Sequence, residues 1–417
     1  MTTTTTKISY SRSKNVFNTG KVLTLSVCHF IHDIYSSFFA PLLPLLVEKF
    51  SMTLAQAGFL STIMQIPALF NPFIGLLADR ISVRYFIILA PATTAIPMSL
   101  LGLAPSYGVL ALLFFVTGVS VAVFHVPAPV MVSQLSGNKT GKGMSFYMTG
   151  GELARTIGPM VAVGSVSILS FQGYYPIMIF GILASLWLYF KFHGIDVRVK
   201  KSDRKPLLSA CREMKHILLP LTAILITRGF MHASTTTFLP TFIKMETGNI
   251  WLAGFALTAF EAFGVGGVLS LGILSDYFGR RQILIISLIC APVSLFLFVY
   301  TGGLLRCLML VVTGFTLLST TPVMLAIVQE NAKSSPSTAN GSTTPVMLAI
   351  VQENAKSSPS TANGLFMMVS FISRSAIVVL VGIIADHIGL PLTYAISAAI
   401  GLISIPFILM LPKTCLK

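Results

Sequence analysis

Long uninterrupted apolar runs constrain this chain more than any other feature of its sequence. A helix needs about 20 apolar residues to cross a bilayer, and a hydropathy window finds about twelve such runs. Only 10% of the residues are charged, against about 25% in soluble domains. The sequence therefore predicts an all-α membrane protein with twelve transmembrane helices. Their approximate spans are 22–47, 55–79, 85–104, 106–134, 143–169, 173–193, 216–243, 250–276, 281–302, 306–330, 365–387 and 390–412.

The runs are arranged as six, a charged connection and six. We expect a tail at 1–21, an N-terminal half at 22–193, a linker at 194–215, a C-terminal half at 216–412 and a short tail at 413–417. The second half repeats features of the first, so the two halves are expected to be related by pseudo-symmetry.

The net charge of +15 reflects membrane topology rather than a nucleic-acid partner. Lysines and arginines precede the first run and follow every even-numbered run, whereas the opposite side holds only Lys49, Lys244 and Arg306. Basic residues are retained on the cytoplasmic side of membrane proteins. We therefore expect both termini in the cytoplasm, and the inner membrane of a bacterium as the location.

A loop pattern occurs at the end of the second apolar run and again at the end of the eighth. A glycine is followed by an aspartate and then by arginines. The glycine permits close helix approach, and the charges mark the membrane interface. The residues are Gly75, Asp79, Arg80 and Arg84 in the first copy, and Gly272, Asp276, Arg280 and Arg281 in the second.

One segment of the second half occurs twice in succession. Ser319–Gly341 recurs without a change as Ser342–Gly364. Two copies are too few for a repeat architecture, so one copy is a recent tandem insertion or an assembly error. We expect the extra material, about 331–364, to lie in the loop between the tenth and eleventh helices.

Ionisable residues in the first half mark candidate functional positions, because they are costly inside a bilayer. In the first run, His29, His32 and Asp33 are spaced to share one helix face. Asp33 is the first choice for a proton site, since a carboxylate removed from water favours its neutral form. Each histidine has a structural alternative, a hydrogen bond to a neighbouring helix.

Two further runs of the first half carry polar residues. His125 precedes Pro127 and Pro129, a pattern typical of a broken helix that lines a cavity or adapts its packing. Glu152 and Arg155 are one helical turn apart. They either neutralise each other or handle protons.

The second half contributes four intramembrane candidates. Arg228 and His232 share a face of the seventh run, opposite Asp33 in the first half. This pair predicts either an anion or drug-headgroup site or a salt bridge between halves. Glu261 in the eighth run, an alternate proton site like Glu152, and Arg374 in the eleventh complete the set.

Enzyme and metal signatures are not found in the sequence. The five cysteines lack metal-ligand spacing, and there is no HExxH motif or nucleophile elbow. We therefore predict no cofactor, no metal and no enzymatic activity.

Taken together, the two six-helix halves and the twin glycine–aspartate–arginine loop resemble the major facilitator superfamily. His29-x-x-His32-Asp33, Phe124-His125 and the glycines between Gly143 and Gly158 are similar to its fosmidomycin-resistance type of drug exporter. The resemblance implies that the loop motif locks the cytoplasmic gate. It also implies that the first, fourth, seventh and tenth helices line a central cavity.

The expected function is secondary transport by alternating access, with a small-molecule site between the halves. Proton-coupled efflux of a drug-like or amphiphilic compound by a monomer is favoured. Proton-coupled uptake of a small organic anion or metabolite is the alternative. A non-transporting membrane receptor or scaffold is a third possibility, but intramembrane charges on several helices favour transport.

Overall fold

The computed structural model describes residues 17–78, 84–137, 139–194, 215–332 and 359–411. These residues are almost entirely helical, and no strand occurs among them. The helices are α1 (Thr19–Ser36), α2 (Phe39–Phe50), α3 (Leu54–Gln65), α4 (Asn71–Ala78), α5 (Arg84–Ser99), α6 (Tyr107–His125), α7 (Ala128–Ser136), α8 (Thr140–Leu169), α9 (Met178–Phe192), α10 (Lys215–Ala233), α11 (Leu239–Thr247), α12 (Ile250–Phe278), α13 (Arg280–Tyr300), α14 (Gly303–Ala332), α15 (Pro359–Ile388), α16 (Leu390–Leu402) and α17 (Ser404–Leu409).

Successive helices join into twelve rods that coincide with the twelve predicted apolar runs. The paired helices α1–α2, α3–α4, α6–α7, α10–α11 and α16–α17 each make one interrupted rod. Within the described ranges, nine helical stretches are long and apolar enough to cross a membrane, and Leu54–Phe70 is a shorter apolar helix. The predicted all-α membrane fold with two six-helix halves is confirmed.

Local sequence explains where several rods begin or break. The side chain of Thr53 accepts a hydrogen bond from Gln56 N at 3.1 Å, and Gln56 Oε1 accepts one from Thr53 N at 3.0 Å. This capping box starts α3. Helix α6 ends at His125 and α7 begins at Ala128, because Pro127 lacks the N–H that would continue the helix. The predicted break after His125 is confirmed.

Tight backbone contacts join the two halves at one end of the bundle. This distal end holds the connection between α2 and α3. The Asp386 carboxylate of α15 accepts hydrogen bonds from Leu54 N at 2.7 Å and from Ala55 N at 2.8 Å. A Cβ on Gly58 would lie 2.8 Å from Val378 O, and one on Gly382 would lie 2.4 Å from Leu54 O. Only glycine permits so close an approach of α3 and α15.

Further helix pairs contribute to the contact between the halves. Helix α8 packs against α12, and α2 packs against α11. At the distal end, Lys244 Nζ lies 3.4 Å from Glu48 Oε2 across the interface. The interface is therefore formed by helices that also carry several of the predicted functional residues.

The tandem repeat falls largely outside the described residues. Helix α14 ends inside the first copy at Ala332, and α15 begins inside the second copy at Pro359. Residues 333–358, and with them the predicted loop insertion, lie outside the described ranges. The linker predicted at 194–215 also lies outside them except for its first and last residues.

Candidate functional site

A buried polar cluster lies on α1, in the interior of the N-terminal half. His29, His32 and Asp33 are 3%, 0% and 7% exposed. Nε2 of His29 lies 3.1 Å from Asp33 Oδ2, and Nδ1 of His32 lies 2.8 Å from Asp33 Oδ1. The shared face predicted from the spacing of these residues is therefore present, and the carboxylate is its centre.

Helix α6 adds the fourth member of this histidine–aspartate cluster. His125 is the last residue of α6, and its Nε2 lies 3.3 Å from Asp33 Oδ1. The prolines that follow His125 end the helix there. Because the helix stops at this depth, the imidazole ring can turn toward α1. The cluster therefore depends on the helix break that the sequence predicts.

Aromatic rings and one glycine shape the space around the imidazoles. The Tyr147 ring stacks on His29 with 4.0 Å between ring centroids, and Phe124 stacks on His32 at 4.4 Å. A Cβ on Gly151 of α8 would lie 2.6 Å from His29 Cε1. The absence of a side chain at Gly151 therefore leaves room for the His29 ring.

The same cluster has the composition of a metal-binding group. Ligand atoms of His29, Asp33 and His125 all lie within 4.8 Å of one another. Imidazole nitrogens and a carboxylate oxygen are ligands for transition metals.

A second group of charges lies at the contact between the two halves. Glu152 and Arg155 of α8 form an ion pair, and about half of the Arg155 side chain is exposed. Glu261 of α12 is 8% exposed. Helix α12 packs against α8, which carries Arg155, but no ion pair to Glu261 is observed within the described residues. The Glu152–Arg155 pairing expected from their spacing is therefore present, and Arg155 lies on a helix that packs against the other half.

The charges of the seventh rod remain apart from Asp33. Arg228 is 5% exposed, and no hydrogen bond reaches its Nε among the described residues. In that part of the chain no ion pair joins Arg228 to Asp33. His232 Nδ1 lies 3.4 Å from Thr236 Oγ1, and Arg374 Nη2 lies 3.5 Å from the same hydroxyl. His232 and Arg374 therefore share a polar neighbour, whereas the predicted Arg228–Asp33 salt bridge is not observed.

The two loop motifs differ in how much of them the structure describes. Asp79 and Arg80 lie outside the described residues, and Arg84 stacks on the Tyr85 ring at 5.0 Å from its centroid. Gly75 belongs to α4.

The second loop motif forms a local network. In it, Asp276 and Arg280 form an ion pair, and Arg281 Nη2 donates to Leu409 O at 2.9 Å. Gly272 O lies 3.4 Å from Arg280 Nη1. These contacts join the start of α13 to the end of α12 and to α17. The predicted role of the motif in gating remains a prediction.

The sequence did not indicate three features of the structure. They are the stacking of Tyr147 on His29, the space that Gly151 leaves for that ring, and the hydrogen bonds that Asp386 accepts at the start of α3. Tyr147 and Gly151 lie on α8, far along the chain from the histidine they contact. Asp386 is a single acid at the end of an apolar run, and this position is the feature of the sequence that could have indicated its role.

Comparison with known proteins identifies the superfamily of this chain. The family model described as "Major Facilitator Superfamily" matches residues 25–344. The chain belongs to the major facilitator superfamily. It is therefore a membrane transport protein of a family of transporters, not of enzymes, and the resemblance found in the sequence is confirmed.

Individual relatives are distant but cover most of the chain. The "Fosmidomycin resistance protein" of Escherichia coli (strain K12) is 23% identical over 92% of this chain and 91% of its own length. The "Uncharacterized MFS-type transporter YfnC" of Bacillus subtilis (strain 168) is 23% identical over 77% of this chain and 81% of its own length.

Solved structures of the superfamily have the same fold. A bacterial homologue of the human lysosomal transporter Spinster, in an inward-facing conformation, superposes with a TM-score of 0.71 at 16% identity. The match covers 94% of this chain and 95% of that structure.

Proposed function

We propose that this superfamily member exports a small drug-like or amphiphilic compound in exchange for protons. The observation that carries the proposal is Glu261, a carboxylate that is buried on α12, the helix that packs against α8 of the other half. Arg155 belongs to the N-terminal half, and Arg374 belongs to the C-terminal half. A proton on Glu261 removes the negative charge that attracts Arg155 across the interface. Proton binding thereby changes the contact between the halves.

Alternating access requires such a differential interaction, because a ligand shifts a conformational equilibrium only if it favours one state. The proton on Glu261 and the substrate between the halves act on the same interface. The substrate site is proposed near the membrane midplane, as in transporters built from two repeats. His232, beside Arg374, contributes to its polar wall.

This assignment departs from the first choice made from sequence. Asp33 was favoured because it is a carboxylate inside the membrane. Its nearest partners His29, His32 and His125 all belong to the same half. Protonation of Glu261 acts directly across the interface, so we favour Glu261. Asp33 and its three histidines are assigned to the N-terminal half as a structural and ion-binding cluster.

The export direction is supported by the printed name of one relative. The chain is 23% identical to a fosmidomycin resistance protein over 92% of its length. Resistance to a drug through a membrane transporter is most simply obtained by export. A relationship at this level supports the direction of transport more than the identity of the compound.

A second candidate function is uptake of a small organic anion, and Arg228 favours it. Its guanidinium is buried, and its Nε has no hydrogen-bond partner within the described residues. A buried guanidinium nitrogen without a hydrogen-bond partner is costly, and a carboxylate or phosphate-like group of a substrate would lower that cost.

The test uses purified protein in proteoliposomes with a pH-sensitive dye trapped inside. Drugs, organic anions and sugars are added in turn, and proton movement is recorded for wild type and Glu261→Gln. Glu246→Gln is the matched control, because Glu246 pairs with Arg306 at 2.6 Å at the distal end. We expect one drug class to drive proton movement in wild type and in the control. Glu261→Gln should lose it but retain exchange of unlabelled for labelled substrate.

Two results would contradict this proposal. Proton movement at the wild-type rate in Glu261→Gln would exclude Glu261 as the coupling site. A receptor or scaffold would be favoured if no compound drives proton movement in folded wild type or in a chain lacking Ser342–Gly364. Proton movement driven by anions, in the direction of uptake, would select the second candidate.

The remaining sequence-based expectations belong to the same proposal. We place the chain as a monomer in a bacterial inner membrane, with both termini in the cytoplasm. The loop motif with Asp276 and Arg280 serves as the cytoplasmic gate. Labelling of single cysteines introduced at Thr2 and Lys417 in intact cells tests the topology, because a membrane-impermeant reagent should reach neither.

A further inference from the structure

The histidine–aspartate cluster brings two imidazole nitrogens close to one carboxylate. His29 Nδ1 lies 2.8 Å from the carbonyl oxygen of Tyr147, and His125 Nδ1 lies 3.1 Å from that of Val121. A carbonyl oxygen accepts hydrogen bonds and cannot donate them. Both Nδ1 atoms must therefore carry the hydrogen. In the neutral rings, both Nε2 atoms then carry a lone pair.

Both Nε2 atoms lie close to oxygens of Asp33. The distances are 3.1 Å from His29 Nε2 to Oδ2 and 3.3 Å from His125 Nε2 to Oδ1. No aligned hydrogen bond involves His29 Nε2 in the described part of the chain. Acceptors that face one another inside a membrane protein repel each other. A cation between them, either protons or a metal ion, converts that repulsion into binding.

We propose that His29, Asp33 and His125 bind a divalent transition-metal ion, with Zn²⁺ as the reference ion. Two imidazoles and one carboxylate form a ligand set found in zinc sites. With bonds of about 2.0–2.2 Å and tetrahedral angles, neighbouring ligand atoms are about 3.3–3.6 Å apart. The two nitrogen-to-oxygen distances are close to this range, and all three atoms lie within 4.8 Å of one another.

The surroundings of the three ligands fit a metal site as well. Metal-binding histidines usually donate their other N–H to a carbonyl or carboxylate, which fixes the ring. The carbonyls of Tyr147 and Val121 have that role here. His32 completes the arrangement, because its Nδ1 lies 2.8 Å from Asp33 Oδ1 and can orient the carboxylate. Imidazole ligands favour zinc, copper, nickel and iron over magnesium and calcium.

The side chain of His125 is 19% exposed, whereas those of His29 and Asp33 are 4% and 10% exposed. We therefore expect a fourth ligand, such as a water molecule, to reach the ion from the side of His125. The proposal departs from the sequence-based expectation of no metal site, and it does not depend on the direction of transport.

The test measures metal binding by the full chain carrying a tag without histidines. The protein is purified in detergent, stripped with a chelator and titrated with Zn²⁺ by calorimetry. Titration with Co²⁺ is followed by its visible absorption, which reports tetrahedral coordination. We expect one ion per chain, an increase in thermal unfolding temperature on binding, and an affinity lowered about tenfold or more in His29→Ala and His125→Ala.

Matched controls separate the cluster from other histidines. His232→Ala removes a histidine of the other half, and His193→Ala removes an exposed one. Both should bind Zn²⁺ like wild type. If His29→Ala does not fold, His125→Ala carries the test, because His125 is the more exposed ligand.

Two outcomes would overturn the proposal. If stripped wild type binds neither Zn²⁺ nor Co²⁺, the cluster shares protons alone. If binding persists unchanged in His125→Ala, the ion lies at other residues.

Discussion

The two groups of buried charges in this transporter are built on opposite principles. In the N-terminal half, Asp33 is surrounded by three imidazoles, and two backbone carbonyls fix two of these rings. In the C-terminal half, no hydrogen bond reaches Nε of the buried Arg228 among the described residues. A low dielectric strengthens the hydrogen bonds that hold the three rings around Asp33, and it makes a buried group without a partner costly. The difference indicates a fixed cluster on one side and charges available for a substrate on the other.

The most severe test of this comparison is removal of the central carboxylate. Asp33→Ala removes the acceptor of the His32 Nδ1 hydrogen bond and the carboxylate that shares protons with His29 and His125. Breaking a buried, hydrogen-bonded charge cluster costs about 3–5 kcal/mol, and we expect the free energy of unfolding to fall by that amount. Unfolding of metal-free protein in detergent, followed by circular dichroism, gives the measurement.

Glu261→Gln provides the matched control for Asp33→Ala. Arg155 is half exposed and retains its pairing with Glu152, so we expect a loss of at most about 1 kcal/mol. If both variants lose the same free energy of unfolding, the Asp33 cluster is no more rigidly held than Glu261 at the interface.

A smaller effect is expected from adding one methyl group next to His29. A Cβ on Gly151 would lie 2.6 Å from His29 Cε1, so Gly151→Ala must displace the ring. Overpacking of this kind costs about 1–3 kcal/mol. The displaced ring should also bind Zn²⁺ more weakly. Thermal unfolding and metal titration measure the two effects separately.

Helix α8 supplies its own control for this substitution. At Gly164 the nearest atom to an added Cβ is Trp251 Cη2 at 3.7 Å, an ordinary contact. Gly164→Ala should therefore be neutral or slightly stabilising, since alanine favours helix. If Gly151→Ala is as stable as Gly164→Ala and binds Zn²⁺ normally, the His29 ring is not confined by α8.

How far the sequence predicts this molecule depends on how local each feature is. The twelve rods, the shared face of His29 and Asp33, and the helix break after His125 follow from neighbouring residues, and all are present. The contact of His29 with Tyr147 joins residues 118 positions apart, and that of Leu54 with Asp386 spans 332 positions. Nothing in the local pattern specifies such contacts, because they depend on how helices pack. The same reason explains why spacing alone placed Arg228 opposite Asp33.

The smallest change in stability is expected at Arg228, because its substitution breaks no observed ion pair among the described residues. Arg228→Met replaces a buried guanidinium by an apolar chain of similar length, which avoids the cost of burying a charge. We expect the free energy of unfolding to change by less than about 1 kcal/mol, toward higher stability. Arg306→Met is the control, because Arg306 loses its pairing with Glu246 and its position over the Phe242 and Phe298 rings. It should be destabilised by about 1–2 kcal/mol.

The same pair of variants shows whether Arg228 is available to a ligand. Small organic anions that raise the unfolding temperature of wild type should also do so in Arg306→Met and should lose the effect in Arg228→Met. A loss of several kcal/mol in Arg228→Met without any ligand would contradict the comparison. It would mean that Arg228 is as firmly integrated in its half as Asp33 is in the other. The two halves would then both hold fixed polar clusters, and substrate charge would have to be recognised by Arg155 and Arg374 at the interface.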